Sequence, residues 1–209
     1  MAWYRCTGGG SAVGKGMSLV DYSENAYATG VPSATWTSKT FTAEANDIFI
    51  IAVISRGNVT SSGFSLVDSQ EFGGAGDKLQ ILKKVSSGGT EQFSVAFANR
   101  VRDEIMIYQF RGVSNLTKTT GTYNNNSVTS ISVNMGSRKS FAVIAKRYTS
   151  YQEKEFVYDD YNGISGYAQK TPANGSWLFG IISNETIINN SFTVSVSNTP
   201  FAMFVYSIS

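Results

Sequence analysis

The chain has 209 residues, with 17 Lys+Arg against 15 Asp+Glu, one Cys and no His. At this length folding buries roughly 70% of the unfolded surface, so neither a disulfide nor a metal is needed. The absence of His removes the commonest general base and metal ligand and every Ser-His or Cys-His nucleophile pair. A single Cys excludes a disulfide framework and a Cys-rich zinc site, and a net charge of +2 gives no electrostatic case for nucleic acid.

Trp3 and Tyr4 stand ahead of a Gly-rich stretch at 7–16. Residues 1–16 read as an aromatic peg and a flexible connector, with Trp3 and Tyr4 docking on a partner protein. An ordinary first edge strand is the competing reading. Gly9 to Lys15 has the spacing of a phosphate-binding loop, but Gly16 replaces the required Ser/Thr, and neither a preceding strand nor a following helix is indicated. No basic segment leads into an apolar stretch of signal-peptide length, so a soluble protein made in a cytoplasm is expected. The longest apolar run, 48–54, is too short to span a bilayer.

From residue 17 onward the pattern is β. Runs rich in Val, Ile, Phe, Tyr and Thr alternate with Gly, Asn, Ser and Asp. They predict strands at 17–22, 34–41, 48–55, 64–68, 78–85, 92–98 and 104–110. A second set falls at 130–134, 140–146, 156–159, 167–170, 176–182, 192–197 and 201–208. Phe93-Ser-Val95-Ala-Phe97 and Phe192-Thr-Val194-Ser-Val196 alternate with period two, which puts one face in a core and the other in water. The unbroken apolar runs 48–54 and 201–206 predict strands covered on both faces. No helical stripe persists over three turns.

The two sets resemble each other in order. The run 47–56 parallels 139–146, Leu79 to Leu82 parallels 177–180, Phe93 parallels Phe192, and Tyr108 parallels Tyr206. The predicted fold is all-β: an antiparallel β-sandwich, jelly-roll-like, over 17–209, with two weakly related halves at about 33–113 and 129–209. One large sandwich whose sheets take strands from both halves is preferred to two tandem sandwiches, because 111–127 reads as a polar, Asn-rich crossing without a Pro-rich linker.

Eleven Tyr are present, five of them within 148–167. Tyr148, Tyr151 and Tyr161, with Asp159 and Asp160, form a polar aromatic segment suited to stacking on sugar rings and bonding their hydroxyls; Tyr also gives rigid contact area at low entropic cost. Trp36, in a Thr/Ser-rich strand, offers either an exposed platform or a core side chain. Asp159-Asp-Tyr-Asn-Gly163 supplies oxygen ligands for Ca²⁺ but lacks a full loop pattern, and an Asx-rich turn explains it as well. Carboxylates for glycoside hydrolysis cluster at Glu153, Glu155, Asp159 and Asp160, and at Asp68 and Glu71. The residues imply no cofactor and no resident metal.

The opening Met1-Ala-Trp-Tyr-Arg-Cys-Thr-Gly resembles the start of small tail-region proteins of phages and prophages of Gram-positive bacteria. Ala45-Asn46-Asp47 before an apolar strand, Gly63-Phe-Ser-Leu-Val67, Leu79 to Val85, and Tyr108-Gln-Phe-Arg-Gly-Val113 follow in an order similar to β-sandwich proteins of phage tails and virions. The resemblance covers about 33–113 well and the second half loosely. It implies a non-enzymatic virion or tail-associated module, structural or host-recognising, with a cell-surface glycan and other tail proteins as partners. It also implies a virion location and a homo-oligomer, a trimer as in many tail tips; the charge balance and the short apolar runs lead to no expectation of nucleic-acid binding or membrane insertion. It carries over no catalytic residues. A purely structural virion component and a polysaccharide-degrading enzyme are the alternatives.

Overall fold

The computed structural model describes residues 16–22, 31–73, 76–100, 104–134, 140–147, 164–170, 176–183 and 191–209. The predicted strand at 156–159 and residues 1–15 of the predicted peg and connector lie outside them, while Gly16, the connector's last residue, opens a strand. The described part is an all-β, antiparallel sandwich of thirteen strands in three sheets. A central sheet contains β1 (Gly16–Tyr22), β8 (Glu104–Arg111), β3 (Phe41–Ser55), β6 (Asp77–Glu91) and β5 (Ser65–Phe72), in that spatial order. A small sheet holds β2 (Val31–Thr37), β7 (Ser94–Arg100) and β4 (Val59–Ser61). The third sheet holds β11 (Ile164–Lys170), β12 (Ser176–Ser183), β10 (Ser140–Arg147), β13 (Ser191–Ile208) and β9 (Leu116–Asn134). Among the described residues no helix is long and apolar enough to cross a membrane.

The continuous apolar run of β3 has the role its pattern predicts. Successive side chains of a strand point to opposite faces, so Ile48, Ile50, Ala52 and Ile54 enter one core and Phe49, Ile51 and Val53 the other. The first core lies between the central and third sheets. There Tyr108 and Phe110 meet Phe141, whose ring centroid lies 5.0 Å from each, with Phe204 and Tyr206 alongside. The second core lies between the central and small sheets. Phe93 is its hub, within 5.0 Å of Phe49 and Phe41 and 4.8 Å of Phe64. In the third sheet Ala142, Ile144, Met203 and Val205 alternate with the first-core residues and are also buried, so both faces of β10 and of the end of β13 are covered.

The sequence likeness of the halves corresponds to a shared topology. Read from the opposite edge, the third sheet runs β9-β13-β10-β12-β11 and matches β1-β8-β3-β6-β5 strand for strand. Tyr108 pairs with Ile50 and Tyr206 with Phe141, so Ile50 and Phe141 are equivalent by register. An irregularity between Leu19 and Asp21 opposite Tyr108 and Ile107 recurs between Lys118 and Thr120 opposite Tyr206 and Val205. Aligning Phe49 with Phe141 by sequence is therefore one residue out. A one-residue slip exchanges the faces of a strand, which explains why Phe49 faces the second core and Phe141 the first.

Two features depart from the sequence reading. No sheet among the described residues mixes strands from the two halves: the central and small sheets take theirs from 16–111 and the third from 116–208. The stretch read as a polar crossing is the first part of β9, and the Asn run at 124–126 lies in a strand. Backbone pairing with β13 holds it. Its side chains are exposed on both sides from Thr117 to Tyr123, so no apolar alternation marks it.

Candidate functional site

Several charged groups that attract attention in the sequence serve the fold. Asn46, at φ +72°, occupies the left-handed region that Asn tolerates. It sits in the bulge between Ala45 and Ile48. Asp47 follows, 2% exposed. Its carboxylate accepts hydrogen bonds from the Glu44 backbone N–H at 2.8 Å, Gln109 Nε2 at 2.6 Å and the Arg111 guanidinium at 3.0 Å. Burial works against its ionised form, but Arg111, the Glu44 N–H and Gln109 prevail and hold its pKa below the ordinary value. The Ala45-Asn-Asp47 step and the Arg111-Gly-Val113 step are thus two ends of one ion pair.

Gln80, fully buried, donates through Nε2 to Ser55 Oγ and the Gly57 carbonyl, both at 2.8 Å, and accepts from the Val59 N–H. This network seats β4. Lys84 pairs with Glu91 at 2.8 Å and lies 4.9 Å from the Phe93 ring centroid. Arg56 pairs with Asp77 at 3.0 Å. Among the described residues no group of three or more Cys, Asp or Glu side chains is arranged to hold a metal ion.

The remaining cluster lies where the two large sheets end together, at edge strands β5 and β9. Asp68 of β5 accepts from the Tyr206 hydroxyl at 2.6 Å and pairs with Lys118 of β9. Burial, reinforced by this carboxylate, pushes the Tyr206 phenol far above its ordinary value. Lys118 Nζ also sits 4.6 Å from the Phe204 ring centroid. Just past the end of β5, Gly73 takes a positive φ and donates its N–H to Asn125 Oδ1 at 3.3 Å. The carboxylate pair Asp68 and Glu71, weighed above for hydrolysis, is thus divided: Asp68 is committed to the inter-sheet contact and Glu71 is exposed.

Between these two cross-sheet contacts β9 runs Thr119-Thr-Gly-Thr-Tyr-Asn124. Tyr123 is 53% exposed, a high value for an aromatic side chain in a strand. By register it stands opposite Ala202 of the first core, so it belongs to the row turned toward the central sheet, at its open margin. Asn124 Oδ1 accepts the Asn126 N–H at 2.8 Å. The result is an aromatic ring on a strand fixed by its neighbour, with the Asn125 amide on the same side and Thr122 and Asn124 on the other. Leu66 and Val67, on β5, are also exposed.

Of the residues singled out in the sequence, Trp36 is described. It pairs with Val95 and packs, partly buried, against the second core, so core packing prevails over an open platform. Trp3, Tyr4, Tyr148, Tyr151, Asp159, Asp160 and Tyr161 lie outside the described residues. Sequence reading did not single out Tyr123, since it took the flanking Asn run as loop chemistry. An isolated Tyr within an uncharged Thr/Asn-rich segment was the available signal. Comparison with protein-family models, curated proteins and solved structures finds no match to this chain.

Proposed function

We propose that the chain is a non-enzymatic, virion- or tail-associated module that recognises host-surface carbohydrate. The observation that carries this reading is Tyr123: a largely exposed ring on a paired edge strand, flanked by Thr122, Asn124, Asn125 and Asn126. Aromatic faces stack on the apolar faces of sugar rings, while amides and hydroxyls bond the sugar hydroxyls. The phage-like order of core and turn residues supports the virion setting. The Tyr-rich segment with Tyr148, Tyr151, Asp159, Asp160 and Tyr161 supplies further groups of the same chemistry. Trp3 and Tyr4 supply the contact to a neighbouring tail protein.

Binding to an array of bacterial wall glycans tests this reading, with Tyr123→Ala and Tyr148→Ala/Tyr151→Ala beside the unmodified chain. Specific binding lost in either variant supports it. No binding across a broad, multivalent array overturns it in favour of a purely structural virion component. Exposed Leu66 and Val67 on β5 favour that second reading, because apolar edge residues suit contact with protein.

A further inference from the structure

We propose that the β9 margin around Tyr123 is a subsite for an uncharged saccharide and is closed to the addition of a protein strand. This rests on the carbohydrate reading and goes further, since it assigns a ligand class and excludes the usual partner of a free sheet edge.

A sheet edge invites strand addition unless bulges or inward-pointing charges spoil it. Both edges here carry both devices. β5 is irregular between Leu66 and Asp68, and β9 between Lys118 and Thr120. Each irregularity is followed or preceded by a charged residue turned inward, and these two, Asp68 and Lys118, pair with each other. A strand laid along β9 would meet a broken ladder at Thr119, whose hydroxyl is bonded to the Val205 carbonyl at 3.1 Å. The exposure of Tyr123 is thus left to a ligand that uses side chains.

The side chains also define the ligand. Asn125, two residues along the strand and turned to the same side as Tyr123, has its Oδ1 taken by the Gly73 N–H. With that oxygen facing a backbone donor, the amide NH₂ is left as a donor beside the ring. Residues 119–126 carry no charge, and the flanking Lys118 is neutralised by Asp68. A ring face with the Asn125 amide donor beside it, in a neutral setting, suits hydroxyl or acetamido oxygens. It provides no counter-charge for a phosphate, sulfate or carboxylate.

The test is titration of the full chain with a panel of neutral wall oligosaccharides and, separately, with glycerol-phosphate teichoic acid, at about 50 and about 500 mM salt, where charge pairing is strongly screened. We expect neutral oligosaccharides to bind with an affinity that salt changes less than about twofold, since no ion pair is involved. Tyr123→Ala should weaken binding about tenfold or more, as loss of an aromatic anchor does. Tyr123→Phe should retain it. Asn125→Asp keeps an acceptor for the Gly73 N–H but removes the donors, so it should weaken binding while thermal unfolding confirms an intact fold. Binding confined to teichoic acid and abolished by salt overturns the ligand class. Neutral binding untouched by Tyr123→Ala overturns the subsite. Self-association that protects the backbone amides of 116–126 from hydrogen exchange overturns the closed edge. Silence in both arms overturns the carbohydrate reading itself.

Discussion

The central and third sheets share strand order, register and one bulge, yet differ at their margins. In the first half the outer strands are separate: β1 and β2, and β7 and β8, split between two sheets. In the second half their counterparts are continuous, as the 19-residue β9 and the 18-residue β13. Register equates Leu19 with Lys118 and Tyr22 with Gly121. Interior rows such as Ile50, Tyr108, Phe141 and Tyr206 remain apolar or aromatic in both halves, because each must fill the shared core. At the margin one half carries Leu and Tyr and the other Lys and Gly. Similar interiors with divergent edges indicate that the shared core keeps the halves alike, while the margins are held less strictly.

The strongest way to break the likeness is at the two aromatic hubs. Phe141→Ala removes the ring that joins the sheets and should destabilise the chain by about 3–5 kcal/mol, the usual cost of emptying such a site. Phe93→Ala should cost a comparable amount but act on the small sheet. Urea unfolding gives the totals. Hydrogen exchange should show Phe141→Ala loosening both large sheets and Phe93→Ala loosening β2, β4 and β7. Identical exchange patterns for the two variants would contradict the separate cores.

The Asp47 cluster belongs to the first half, where it ties β3 to β8 and pins a bulge. Asp47→Asn weakens the charge-assisted bond from Arg111, which keeps its exposed partner Glu44, and should cost about 1.5–3 kcal/mol. Asp47 and Glu91 both have lowered folded-state pKa values: burial raises each, but Arg111 acts against it at Asp47 and Lys84 at Glu91, and the pairing prevails. Their stabilisation is therefore present above the ordinary carboxylate range and is lost as pH falls through the folded values, below about pH 4. Unfolding free energy measured from pH 7 down to pH 2 should fall along an acid limb that Asp47→Asn flattens. A variant with the same acid limb as the parent would deny the ion pair its role.

The inter-sheet contact at Asp68 is the counterpart that spans the halves. Tyr206→Phe removes one charge-assisted hydrogen bond and should cost about 1.5–3 kcal/mol. The Tyr206 folded pKa is raised, chiefly by burial and then by Asp68, so its stabilisation is complete below the unfolded value near pH 10 and declines as pH rises beyond it. In Tyr206→Phe the alkaline decline should be shallower. An unchanged alkaline limb would show that the phenol does not hold the sheets together.

How much of this was legible in the sequence follows from where the residues sit. Strands such as β3, β6, β8 and β10 declared themselves because a core demands apolar side chains at fixed spacing. The repeat showed for the same reason, although Phe49 and Phe141 misled the alignment by one position: both are Phe, and only backbone register shows that they face different cores. Of the edge strand β9 only 130–134 showed; its first part, 116–129, stayed hidden. Its pairing is carried by backbone groups, which leave no trace in side-chain pattern, and its Thr and Asn residues are those of a loop. Asp68, Tyr206 and Lys118 come from distant parts of the chain, and only the stacking of the sheets brings them together.

Gly121 offers the finest comparison between the halves, since its register equivalent is Tyr22. A Cβ built on Gly121 would lie 3.1 Å from Lys118 Cε and 3.2 Å from the Phe204 ring. The absent side chain therefore makes room for the Lys118 stem, which carries the ammonium over Phe204 and on to Asp68. Alanine in a strand is favoured over glycine by about 0.5–1 kcal/mol, so a gain would be expected if the space were idle. We expect Gly121→Ala instead to cost about 0.5–1 kcal/mol, because crowding outweighs the backbone gain and displaces a cation–π contact of similar worth. In a Lys118→Ala background the Lys stem is gone, and the same substitution should become neutral or stabilising. Thermal unfolding of the four proteins in this cycle measures the coupling. An equal effect of Gly121→Ala in both backgrounds would mean that the glycine answers to the Phe204 ring alone, and that the Lys118 arm has no part in why the two margins diverged.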